Sequence, residues 1–274
     1  MNTNPLQQYF RRPAIYIKLP SQGKYYDNDV IIATESKEIP VYPMTSIDEI
    51  TSRTPDAVFN GHAVADIIKS CIPSIIDPWK INSMDLHTIL VAIRVASTGE
   101  EMDVDSKCPK CSAEHRYGVD LIELLSTLPY ANYDNTLKIN ELEIKFRPLT
   151  YAETNKNGMD QYEIQKMLMM LDSVEDSPEK QKQIKDTVTH LNKLTTDIIA
   201  ATISHIKTPE TVVTDKAFIV EYLTNCDRKT NEAITTFSIE LRNKNHLNPL
   251  HIKCQSCEHE YDQPFIINIT DFFA

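Results

Sequence analysis

Glycine is scarce in this chain. Five occur in 274 residues, Gly23, Gly61, Gly99, Gly118 and Gly158, and none stands in a GxGxxG or GxxxxGK arrangement, so the backbone loops that cradle phosphates are missing. Tryptophan occurs once, at Trp79. No apolar run reaches the roughly 18 residues of a membrane-spanning helix, and Met1 to Arg12 lacks the apolar centre of a secretory signal. Basic charge is in deficit: 28 Lys and Arg against 39 Asp and Glu give a formal charge of −11. That balance disfavours nucleic acid as a partner, because phosphate-backbone binding rests on clustered cations that displace counterions. The sequence also has no GxSxG elbow and no HExxH, and Glu100-Glu101-Met102-Asp103 reads as solvated loop charge. No enzyme is expected.

What the chain does have is six cysteines, four of them in two tight pairs, Cys108-Pro109-Lys110-Cys111 and Cys254-Gln255-Ser256-Cys257. This is not the pattern of a secreted disulfide framework, which belongs mainly to far shorter chains, so a reducing compartment is expected. Each pair follows a short extended run and a lysine, Lys107 or Lys253, and leads to an aromatic, Tyr117 or Tyr261. That grammar is the grammar of a zinc knuckle. A Cys-x-x-Cys turn aims two sulfurs at one ion about 2.3 Å away, and four thiolates close the tetrahedral shell of a structural site. Cys108, Cys111, Cys254 and Cys257 are therefore expected to hold one structural zinc per chain, fixing how the two halves of the chain face each other. His115 and His259 follow the knuckles closely, which leaves open a site of three cysteines and one histidine, or two incomplete sites completed in an oligomer. A dithiol redox pair would need a βαβ setting that is not visible here. Cys71 falls on an apolar helical stripe and reads as a buried free thiol, and His87 as a surface or packed histidine.

The periodicity describes an α+β chain, helix-dominated, with small antiparallel β elements and a discontinuous four-cysteine zinc ribbon. Residues 1–45 form a β-rich segment with runs at 14–19, 30–33 and 38–42. Residues 46–130 are helical and lead into the first knuckle, with helices at 56–71 and 85–97 and Ser46 with Glu49 as a capping box. Residues 131–172 hold a β-hairpin at 137–146 and a helix from Tyr151 to Leu171 carrying Met159, Met167, Met169 and Met170. Residues 173–274 are read as a long helix from Pro178 to Lys207, helices at 215–225 and 228–243, the second knuckle and a terminal strand at 264–269. Asp172 to Pro178 is the linker candidate.

Several stretches carry a resemblance. Ile15-Tyr16-Ile17-Lys18-Leu19-Pro20-Ser21-Gln22-Gly23-Lys24-Tyr25-Tyr26, Val41 to Ile50, Thr54-Pro55-Asp56-Ala57, and the helix from Asp85 entering Cys108 to Cys111 resemble the baseplate hub and hub-assembly proteins of T4-like contractile-tailed bacteriophages. The ending, a knuckle, a hydrophobic strand and Phe272-Phe273, is similar too. The resemblance implies a structural subunit of the viral tail baseplate, hub or hub-proximal, made late in infection in the host cytoplasm and carried in the virion. The alternative it implies is a hub-assembly chaperone absent from the mature virion. Its partners would be other baseplate and tail proteins in a symmetric multi-subunit assembly, without stable membrane insertion. A zinc-ribbon regulator binding nucleic acid is disfavoured by the charge.

Overall fold

A computed structural model describes residues 4–27, 29–32, 36–54, 60–172, 177–245, 247–265, 267 and 272–273. In chain order the elements are β1 (Ile15–Ile17), β2 (Ile39–Val41), α1 (Ser46–Ser52), α2 (His62–Cys71), α3 (Ser83–Thr98), β3 (Glu101–Lys107), β4 (Glu114–Asp120) and α4 (Leu121–Thr127). There follow β5 (Thr136–Ile139), β6 (Leu142–Phe146), α5 (Tyr151–Asp172), α6 (Pro178–Thr202), β7 (Ile203–Lys207) and β8 (Val212–Val213). The chain then forms α7 (Lys216–Asn225), α8 (Arg228–Asn243), β9 (Leu250–Lys253) and β10 (Glu260–Gln263). The fold is helix-rich with small antiparallel sheets. No helix among the described residues is long and apolar enough to cross a membrane.

Two compact units divide the chain. One is Met1–Tyr130 with Asn245–Ala274, and the other is Ala131–Lys244. The four segments read from sequence are thus regrouped. Residues 1–45 and 46–130 share a unit with the last part of 173–274, while 131–172 and most of 173–274 make the other.

The first unit is built on α3, whose Ile89, Val91, Ala92 and Ile93 are fully buried, and on the apolar stripe of α2 with Ile67, Ile68 and Cys71. Gly99 ends α3 at φ 104°, a left-handed value that a side chain would strain. The capping box on α1 sits one residue earlier than the Ser46–Glu49 reading: Thr45 is the N-cap and Asp48 returns the bond to its N–H. Asp48 wins because it also accepts from Ser70 Oγ at 3.0 Å and pairs with Arg11, which donates to Ser70 O at 2.6 Å. The 14–19 and 38–42 runs pair directly, with Tyr16 opposite Pro40, at the edge where a proline is tolerated. Of the 30–33 run only Ile31 makes a bridge, to Ile75, and Ala33 lies outside the described residues.

The second unit holds a four-stranded antiparallel sheet ordered β5-β6-β7-β8. The expected hairpin is present, but the helix read as reaching Lys207 stops at Thr202 and turns into β7. Ile203 and Ile206 are buried against β6, so strand pairing overrides the helical period in this β-branched stretch. Helices α5 and α6 pack together, and α5 starts on a capping pattern in which Glu153 accepts from Thr150 N at 2.9 Å and from Arg147 Nη1 at 3.0 Å. Asp215 and Asp227 cap α7 and α8. The linker candidate falls largely on residues 173–176, outside the described residues, as do 56–59 of the expected helix 56–71 and 266 and 268–269 of the expected terminal strand; 264, 265 and 267 of that strand are irregular instead, the ladder having ended at Gln263.

Candidate metal centre

Both knuckles are tight turns at the ends of antiparallel hairpins, β3–β4 and β9–β10. Their geometry repeats at a constant offset of 146 residues. Cys108 N donates to Ala113 O and Ser112 N to Cys108 O, each at 2.9 Å; Cys254 N donates to His259 O and Glu258 N to Cys254 O, again at 2.9 Å. Ser112 and Glu258 carry the matching left-handed backbone, φ 58° and 55°. The cross-strand ion pair Asp105–Arg116 recurs as Asp262–His251 with the charges exchanged between strands, both at 3.0 Å. Two sequence-distant stretches therefore fold into one local design, rotated to face each other.

All four cysteines lie in the first unit, and their sulfurs sit within 4.8 Å of one another. Across the two knuckles Cys108 and Cys257 approach to 3.7 Å, and Cys111 and Cys254 to 3.6 Å. A tetrahedron of sulfurs about 2.3 Å from a central ion has edges of about 3.8 Å, so the cluster has the dimensions of a four-thiolate zinc shell. Cys108 and Cys254 are 1% exposed, Cys257 is half-buried and Cys111 is exposed.

Burial pushes the Cys108 thiol up, but the N–H groups of Cys111 and Lys110 and the neighbouring thiols outweigh it and bring Cys108 down to about 7. The His259 N–H pulls the Cys257 thiol down, yet burial and the three nearby sulfurs push it to about 12. The two thiols are thus pushed in opposite directions, the pattern expected of sulfurs crowded at one point.

Side chains join the hairpins around the cluster. Ser106 Oγ lies 2.8 Å from both the Tyr261 hydroxyl and Gln263 Oε1, and His115 Nε2 lies 2.8 Å from Ser256 Oγ. His115 thus meets the opposite knuckle's turn, and His259 stacks on Tyr261 at 6.1 Å between centroids. Neither belongs to the four-sulfur group. Sequence reasoning missed Ser106 and Gln263, whose roles depend on a partner more than 150 residues away that no local pattern signals. Of the remaining cysteines, Cys71 is fully buried with its thiol pushed up to about 12 by burial, and Cys226 ends α7 half-buried. His87 bonds through Nδ1 to Asn245 O at 3.1 Å, far from any cysteine pair in sequence.

The placement corrects the expectation that the clasp would set two halves of the chain against each other. Both knuckles close one compact unit, and the segment between them folds as a separate unit. A family model described as T4 bacteriophage base plate protein matches residues 14–274. No curated protein and no solved structure matches the chain. With the family match running from the first β-strand through both knuckles to the end, the chain belongs to the family of T4 bacteriophage base plate proteins.

Proposed function

We propose that the chain is a structural subunit of a contractile phage tail baseplate, at or near the hub, and that Cys108, Cys111, Cys254 and Cys257 hold one structural zinc ion. Family membership over residues 14–274 supports the assembly role. The closed four-sulfur cluster supports a structural ion, because a catalytic zinc keeps one position open for water or substrate. Zinc would supply the charge that lets four thiolates coexist and would lock two hairpins that side-chain hydrogen bonds already join. The partners are other baseplate and tail proteins, and the place is the virion tail.

Metal analysis of the purified full chain tests the site. About one zinc per chain is expected, lost on either Cys108→Ser or Cys254→Ser; two ions lost independently would contradict a shared site. Mass spectrometry of purified virions tests the role. A stoichiometric signal supports a virion subunit, whereas absence from virions with abundance in infected lysate transfers the assignment to an assembly chaperone.

A further inference from the structure

Beside the sulfur cluster lies a groove of about 670 Å³ whose two walls come from the two knuckle hairpins: residues 117–120 of β4 with α4 on one side, and residues 248–253 leading through β9 on the other. Val119, Leu124, Pro249 and Leu250 line it with apolar surface. Both walls are strand edges. Among the described residues β4 pairs only with β3, and β9 only with β10. In an antiparallel ladder alternate residues turn their main-chain groups toward the partner and away from it. The bonds from Cys108 N to Ala113 O, Leu121 N to Glu100 O and Cys254 N to His259 O set the phase. Arg116, Gly118 and Asp120 on β4, and His251 and Lys253 on β9, therefore direct their N–H and C=O groups outward. Among the described residues no hydrogen bond takes up the main-chain groups of Gly118, His251 or Lys253.

Outward main-chain donors and acceptors on both walls match one kind of occupant, a polypeptide in extended conformation, which carries such rows on both edges. Charge narrows the choice. On the solvent face, Asp105 of β3 pairs with Arg116 of β4, and His251 of β9 pairs with Asp262 of β10. When His251 is protonated, a state favoured by Asp262 and Glu260 beside it, the signs across the four strands run acid, cation, groove, cation, acid. Lys253, also on the β9 wall, pairs with Glu258 at 3.8 Å. The Asp120 carboxylate is engaged at the start of α4, accepting from the N–H groups of Ile122 and Glu123, and Glu123 marks the opposite end of the groove. An acidic side chain seated between Arg116 and His251 would complete the alternation. Gly118 leaves room for it, with no atom within 4 Å of where its Cβ would stand.

We propose that this groove receives an extended segment of another baseplate protein, added as a strand along the β4 and β9 edges, with apolar side chains on Leu124 and Leu250 and acidic side chains facing solvent. The proposal rests on the shared-metal reading, since each wall belongs to a different knuckle and only their union makes the groove.

Fluorescence anisotropy on the full zinc-loaded chain tests it, with a labelled six-residue peptide alternating valine and glutamate, and its lysine counterpart, as probes. The glutamate peptide is expected to bind saturably and at least about tenfold more tightly than the lysine peptide. Gly118→Pro removes one outward N–H while leaving the β3–β4 bonds intact, and His251→Glu reverses an exposed charge; each is expected to weaken binding at least about tenfold, with zinc content unchanged. No saturable binding up to about 1 mM by a chain that retains zinc overturns the groove, as does equal affinity for both peptides or binding untouched by both variants. Peptide binding by a chain without zinc upholds the groove and overturns the metal reading alone.

Discussion

Asp85 and Glu153 are carboxylates whose environments push them in opposite directions, and the pH dependence of stability separates them. Asp85 is fully buried, and burial raises its carboxyl against the pull of hydrogen bonds from Ser21 N and the Tyr26 hydroxyl. Between the unfolded value, about 3.9, and the raised folded value the native state holds more protons, so stability falls as pH climbs through that window and the loss persists at neutral pH. Asp85→Asn removes this response: urea titrations at neutral and mildly acidic pH are expected to show wild type gaining stability relative to the variant as pH falls. Burial also raises Glu153, but the Arg147 fork and the Thr150 N–H outweigh it and hold this carboxyl below its ordinary value. Its contribution is present above the unfolded value of about 4.3 and is lost as pH falls through the folded value. Glu153→Gln should cost about 1 kcal/mol at neutral pH, a figure kept low because the pair is about one-third exposed, and the cost should vanish in acid. Arg11 ties the N-terminal arm to the ends of two helices through Pro43 O, Ser70 O and Asp48. Arg11→Ala strands these acceptors and is expected to lower stability by about 2 kcal/mol in chemical denaturation.

At the scale of elements, α3 is the helix on which the first unit depends. Ile93 is fully buried there, and Ile93→Ala is expected to cost about 2–4 kcal/mol by the same measurement. Much of this layer was legible in the sequence. Apolar spacing of three and four marks α2 and α3, the helices read at 215–225 and 228–243 coincide with α7 and α8, and the matched flanks of the two Cys-x-x-Cys pairs mark the hairpins. The misreadings share a physical cause. Ile203 to Lys207 continues a helical period yet becomes a strand because β6 offers an edge, and Thr45 displaces Ser46 as the cap because Asp48 is held by Arg11 and Ser70. Both outcomes are decided by tertiary partners. The candidate site shows the same division: the four cysteines can be picked out one pair at a time, whereas Ser106, Gln263 and the groove beside them exist only once the hairpins meet.

For the whole molecule, the clasp belongs to one of two units, so metal loss should have a local footprint. Chelation of the zinc-loaded chain is expected to speed amide hydrogen exchange in 101–120 and 250–263 and to leave 136–146 and 178–207 unchanged. Uniform acceleration across both units would contradict the assignment of the cysteines to a single unit. The constant offset between the knuckles also has a consequence in time. Cys111 and Cys254 are 143 residues apart, and the whole of Ala131–Lys244 lies between them. At about 5–20 residues per second, the ribosome presents the first pair of thiols about 7–29 s before the second pair exists. On the shared-zinc proposal, the first knuckle is a half-site during that wait, while the intervening unit is free to fold. The first unit is thus completed last, by a hairpin made after the whole of the second unit.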